Sequence, residues 1–150
     1  MPRRRLALLL AALLIAGCEA LRGTAPAPTT GDFWALGAEL TQRDVGVSDV
    51  VSGDAGCEDP TLAPTAIAFS ASGLDQPQPV RLRVYIFLDG GAYERRRGDV
   101  DSCAASWATD PATFELVDAK PFVVAGQGPW GAAFKAAVRE ALVESAGLGG

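Results

Sequence analysis

The chain has 150 residues with a formal net charge of −5, and 49% of its residues are hydrophobic against 21% charged. This composition is typical of one globular domain and excludes a disordered or fibrous protein. The chain contains no histidine and three cysteines, so it lacks the residue that most acid–base catalysts and many metal sites use.

The first eighteen residues have the pattern of a targeting signal. Arginines at positions 3–5 precede an unbroken apolar run over residues 6–16, which is too short for a membrane-spanning helix of about 20 residues but typical of a signal peptide. The run ends in Ile-Ala-Gly-Cys, whose cysteine is Cys18, and this ending resembles the lipobox of bacterial lipoproteins. The resemblance implies cleavage before Cys18 and attachment of acyl chains such as palmitate to it. The alternative is an ordinary secretory signal.

The lipoprotein resemblance implies a domain organisation and a location. Residues 1–17 are then the signal peptide, residues 18–31 the lipidated cysteine and a flexible tether, and residues 32–150 a single globular domain. We expect the chain to be lipid-anchored at the cell membrane or the outer membrane, with the domain facing the periplasm or the cell exterior. Two or more acyl chains give stable membrane anchoring.

The charge of the mature chain excludes one class of partner. Without the signal peptide, ten basic residues face 18 acidic ones, a net charge of −8. A protein of this charge with no basic stripe is not expected to bind nucleic acid. It is also weakly repelled by anionic lipid headgroups, so the acyl chains rather than the protein surface would hold it at a membrane.

The cysteine count predicts a disulfide. With Cys18 acylated, Cys57 and Cys103 remain as a pair in an oxidising compartment, where disulfide formation is the default. The competing interpretation is a metal site that uses both thiolates, which would need carboxylates to complete four ligands.

The first half of the domain is predicted to be mostly strands. Residues 33–40 are ambiguous, because their apolar residues fit either a helical stripe or strand alternation, and we favour the helix. Residues 45–51 are β-branched and predict a strand, and a loop rich in Gly and Pro follows over residues 52–64. Residues 65–72 predict a buried strand, residues 73–79 a turn whose prolines exclude strand pairing, and residues 80–88 an alternating strand.

The second half adds helices to the sheet. Residues 93–107 have apolar residues at helical spacing, residues 113–117 and 121–125 predict two strands, and residues 129–147 predict a helix that begins at a proline and ends at a glycine. The order of elements predicts the α+β class, a mainly antiparallel sheet with two or three helices packed on one face. A β-sandwich with a C-terminal helix is the alternative if residues 92–107 are irregular.

One strand face has the composition of an interaction surface. Every second residue of the predicted strand lies on this face, and the four are Arg81, Arg83, Tyr85 and Phe87. Tyr and Arg are enriched at binding hot spots. The competing interpretation is that the two aromatic rings pack under a helix while the arginine stems extend outward.

A loop with several acidic residues is a weak candidate for cation binding. Asp54, Glu58 and Asp59 lie in the Gly- and Pro-rich segment, and oxygen-rich loops bind Ca²⁺. Their spacing does not match a known calcium loop, and solvated surface acids are the simpler interpretation.

The glycine-rich segment 126–131 matches G-x-G-x-x-G, but the chain is too short beyond it to hold the second strand and acidic residue of a dinucleotide site. A bound anion at the start of the following helix is a weaker possibility that the net charge opposes.

No recognisable catalytic motif appears, and no cofactor is predicted. The favoured function is therefore a non-catalytic interaction or accessory domain on the cell envelope, with an envelope protein or wall component as partner. A binding module for a divalent cation or small ligand is the alternative, and an enzyme is third.

Overall fold

A computed structural model describes residues 33–147, so the signal sequence and Cys18 lie outside the described residues. Within this range the chain forms three α-helices: α1 (Trp34–Gln42), α2 (Gly90–Trp107) and α3 (Ala132–Gly147). It also forms five β-strands: β1 (Val45–Ser52), β2 (Ala66–Gly73), β3 (Gln76–Ile86), β4 (Phe114–Ala119) and β5 (Phe122–Gln127).

The five strands form one sheet in the order β1-β2-β3-β5-β4, and every neighbouring pair is antiparallel. The predicted α+β class is therefore confirmed, and the β-sandwich alternative is wrong because residues 90–107 form a regular helix. Two helices, α1 and α3, pack together on one face of the sheet, as predicted. Helix α2 packs on the opposite face, so the sheet is covered on both sides.

The face covered by α1 and α3 holds the larger hydrophobic core. The apolar stripe of α1 and the inward side chains of the strands meet α3 there, and the most completely buried large side chains of this core are Leu40, Val45, Ile67, Phe69, Leu82, Val84, Val117, Phe134 and Leu142. The helical interpretation of residues 33–40 is confirmed, because Phe33, Leu36 and Leu40 are buried while Trp34 and Ala38 are exposed. A strand would have buried Trp34 and Ala38 on the same face as Leu36.

The opposite face holds a smaller core beneath α2 and the loop that precedes β2. Its buried members are Ala55, Leu62, Ala66, Tyr85, Phe87, Val100, Cys103, Val123 and Ala125. Helix α2 begins where the carboxylate of Asp89 accepts a hydrogen bond of 2.7 Å from the backbone N–H of Ala92, a standard N-cap arrangement. The predicted inward face of this helix is confirmed by the burial of Val100 and Cys103.

Strand β3 is longer at its start than the sequence predicts. Pro77 and Pro79, which we expected to exclude strand pairing, lie inside it. The register between β2 and β3 shifts opposite this segment, which lets the strand accommodate residues without a backbone N–H. At its other end the strand stops at Ile86, so Leu88 lies outside it and is exposed.

Strand β1 forms one edge of the sheet and is interrupted in its middle. Its register with β2 shifts between Ser48 and Val51, and Asp49 has a positive φ of 51°. This irregularity has the features of a β-bulge, which increases local twist and breaks the row of backbone groups along an edge. Among residues 33–147, no helix combines the length and the apolar composition needed to cross a bilayer.

Candidate functional site

The predicted disulfide is present and joins the loop before β2 to helix α2. Cys57 and Cys103 are bonded, with their Cα atoms 5.5 Å apart, which lies in the usual range for disulfides. The buried hydroxyl of Tyr85 donates a 2.8 Å hydrogen bond to the carbonyl of Ala55, two residues before Cys57. Burial raises the pKa of Tyr85 to about 12, so this hydroxyl stays protonated and remains a donor. The loop is therefore fixed to helix α2 by a covalent bond and to the sheet by a buried hydrogen bond.

The face predicted as a partner surface is covered by that loop and by α2. Tyr85 is 0% exposed and Phe87 is 3% exposed, so neither ring can contact a partner. Arg83 is largely covered and lies over the ring of Trp107, with its guanidinium carbon 4.5 Å from the ring centroid. Arg81 is the most exposed of the four and bonds the carbonyl of Asp49. The competing interpretation therefore describes this face, because the rings fill the core under α2 and the arginines bond Asp49 of β1 and Asp54 of the loop.

The predicted cation ligands do not converge. Asp54 forms ion pairs with Arg81 and Arg83, at 3.4 and 3.2 Å. Partial burial alone would raise the pKa of Asp54, but the two guanidinium groups outweigh it and lower the pKa below its ordinary value. In the described part of the chain, no three His, Cys, Asp or Glu side chains are close enough to hold a metal ion.

The other two acidic residues of this loop also have ordinary roles. The carboxylate of Asp59 accepts hydrogen bonds from the hydroxyl and backbone N–H of Thr61, and these bonds lower its pKa. It therefore stabilises its own turn. Glu58 is exposed, as expected of a solvated surface acid.

The start of α3 already holds an anion supplied by the chain itself. The carboxylate of Asp75, in the turn between β2 and β3, accepts hydrogen bonds from the backbone N–H groups of Ala133 and Phe134, at 2.9 and 2.8 Å. These two bonds lower the pKa of Asp75. A Cβ atom at Gly131 would lie 2.2 Å from this carboxylate, which explains the last glycine of the G-x-G-x-x-G match by close packing. A bound phosphate is not needed to account for this segment.

A second polar cluster joins α2 to the far edge of the sheet. Arg97 on α2 forms ion pairs with Asp118 of β4 at 2.5 Å and with Asp101 at 2.6 Å, and Tyr93 donates to Asp118. Burial would raise the pKa of Asp118, but bonding to Arg97 and Tyr93 lowers it. All the strong donors and acceptors of this cluster are satisfied within it, so we assign it a structural role.

An open apolar groove runs between α1 and the edge strand β1. It has a volume of about 650 Å³ and is lined by Phe33, Trp34, Gly37, Ala38, Thr41, Gln42, Val47 and Val50. Trp34 is 78% exposed at the rim, although tryptophan is among the most costly side chains to leave in water. Gly37 and Ala38 have no bulky side chains, so α1 does not fill the space beside β1. This groove is the clearest candidate for an interaction surface in residues 33–147.

Sequence reasoning missed the groove although a signal for it exists. Once residues 33–40 are assigned to a helix by Phe33, Leu36 and Leu40, Trp34 must point outward. An outward tryptophan on a helix whose outer residues are uncharged indicates a surface that contacts something other than water.

Comparison with known proteins adds no identification, because no family model, no curated protein and no solved structure matches the chain.

Proposed function

We propose that this protein is a lipid-anchored component of the bacterial cell envelope whose domain is non-catalytic and acts by contact through the α1–β1 groove. The observation that carries the proposal is the pairing of Cys57 with Cys103. Structural disulfides are typical of exported proteins. Because two of the three cysteines are consumed in this bond, Cys18 remains as the single unpaired cysteine, at the end of an apolar signal run.

The electrostatics of the domain support a non-catalytic role. General-acid carboxyls in enzymes have raised pKa values. In the described residues, the carboxyl groups with clearly shifted pKa values are all lowered, and each accepts hydrogen bonds from arginine, hydroxyl or backbone donors: Asp54, Asp59, Asp75 and Asp118. These groups stay ionised at neutral pH and serve the fold. The chain also has no histidine to activate a hydroxyl nucleophile.

The groove supports a role in contact. It is open and apolar, and it lies at the point where the described domain begins after the segment we expect to be a tether. A surface at that position can meet the membrane itself or a component close to it. The alternative role in binding a divalent cation has no comparable observation in its favour.

The anchor is tested by expressing the full chain and a Cys18→Ser variant in a bacterium that processes lipoproteins. We expect the unaltered chain in the membrane fraction, with a mass that fits an acylated N-terminal Cys18, and the variant without the mass of any acyl chain. A matched Ser70→Ala variant within β2 leaves the signal untouched and should fractionate with the membranes. An acylated mass for Cys18→Ser, or an unacylated mass for the unaltered chain, would overturn the proposed anchoring.

A further inference from the structure

We infer that the α1–β1 groove is a membrane-contacting surface, so that the domain rests on the phospholipid bilayer instead of standing away from it. The inference rests on the proposed lipid anchor at Cys18. The occupant of the groove is then the bilayer.

The outer residues of α1 have the chemistry of a bilayer interface. The exposed residues of this helix are uncharged, although the mature chain as a whole has a net charge of −8. They are Trp34, Ala35, Ala38, Thr41 and Gln42. The one acidic side chain of this helix, Glu39, is neutralised by an ion pair with Arg43. Tryptophan is favoured at membrane interfaces because its ring is apolar while its indole N–H can still reach water.

The position of this surface along the chain favours the membrane over a distant partner. Helix α1 begins at Trp34, and the residue before it, Phe33, lines the groove. Only fourteen residues lie between Cys18 and Phe33, and a segment of this length spans at most about 50 Å. A short connection of this kind gives an effective concentration of order 1 mM, so even a contact with a dissociation constant near 1 mM would be about half occupied.

The shape of β1 argues against the other common use of such a groove, in which an extended peptide adds a strand to the sheet edge. Strand addition needs a continuous row of free backbone groups along the edge. The register shift between Ser48 and Val51 interrupts that row, and Arg81 bonds the carbonyl of Asp49 within it. A fluid surface has no need of matching backbone groups, so it is compatible with this interrupted edge.

Tryptophan fluorescence can test the contact because Trp34 differs from the other two tryptophans in exposure. Trp130 is buried in the core, and Trp107 packs against Arg83 and Phe114. The full lipidated chain is reconstituted into phosphatidylcholine vesicles with and without bromine on the acyl chains, and flotation with the vesicles verifies the anchor. We expect brominated lipid to quench about a third of the emission, the share of one tryptophan in three. In a Trp34→Phe variant this quenching should disappear.

A matched control moves the tryptophan to another exposed site. Leu88 is 82% exposed in the connection between β3 and α2, two strands away from β1. The double variant Trp34→Phe, Leu88→Trp should float with the vesicles and show no quenching by brominated lipid. Because the domain is acidic, we also expect the quenching of Trp34 to weaken when phosphatidylglycerol replaces much of the phosphatidylcholine.

The outcomes separate this inference from the proposed anchor. Flotation without quenching of Trp34 overturns the membrane contact and leaves the anchor intact, and equal quenching of Trp34 and the Leu88→Trp reporter also overturns it. Shielding of Trp34 from acrylamide before vesicles are added would show that a second copy covers the groove, which again overturns it. If the chain does not float, the anchor fails and the inference fails with it.

Discussion

Breaking the bond between Cys57 and Cys103 should lower the stability of the domain by several kcal/mol. The two cysteines are 46 residues apart in sequence, and closing a loop of this length reduces the entropy of the unfolded chain by an amount equivalent to about 4 kcal/mol at 25 °C. Small domains have a total unfolding free energy of only about 5–15 kcal/mol, so this loss is a large part of the whole. The corresponding fall in melting temperature is roughly 10–25 °C for a domain of this size.

The measurement is urea unfolding of a Cys18→Ser chain with and without dithiothreitol, so that the two remaining thiols are the only ones that change. The free energy of unfolding is obtained by linear extrapolation from tryptophan fluorescence. A Cys57→Ala, Cys103→Ala double variant is the control, and its stability should not respond to the reductant. If mass spectrometry shows both thiols reduced while the free energy of unfolding falls by less than about 1 kcal/mol, the disulfide does not stabilise the domain through loop closure in the unfolded chain.

Three other perturbations test the contacts described above. Tyr85→Phe should lower the unfolding free energy by about 1–3 kcal/mol, because the buried carbonyl of Ala55 loses its donor; an unchanged urea midpoint would contradict this. The pKa of Asp75 is lowered in the folded state, so its stabilising effect is present above its unfolded pKa of 3.8 and is lost as the pH falls through the folded value. Melting temperatures between pH 7 and pH 2 should therefore fall less steeply for Asp75→Asn than for the unaltered chain, and parallel curves would refute this. Because Asp54 is already paired with Arg81 and Arg83, millimolar Ca²⁺ should leave the melting temperature unchanged. A clear rise in the melting temperature would indicate a calcium site.

The sequence predicted the elements well where one periodicity dominates. The alternation from Val80 to Ile86 marks β3, and the stripe of Phe134, Val138 and Leu142 marks α3, because each pattern buries one set of side chains. The disulfide was predictable because the resemblance of the N-terminus to a lipobox assigns Cys18 to acylation, which leaves one pair among three cysteines.

The arrangement of helices around the sheet was harder to predict. Strand β3 presents Tyr85 on one side and Val84 on the other, and Phe87 just after the strand lies in the same core as Tyr85, so both faces needed a cover. The sequence left open whether the aromatic face is exposed or covered, because the side of the sheet on which a helix packs is set by tertiary contacts that no local pattern records. The capping of α3 by Asp75 was also beyond prediction, since the carboxylate and the amides it bonds are almost sixty residues apart.

The two unlike cores make the alignment of β3 with its neighbours unusually well defined. A slip of one residue would exchange the sides on which all its side chains point. It would move the hydroxyl of Tyr85 and the guanidinium of Arg83 into the hydrophobic core beneath α1 and α3, and it would bring Val84 under α2. Neither polar group would find a partner there, so misaligned pairings are penalised during folding from both sides of the sheet at once.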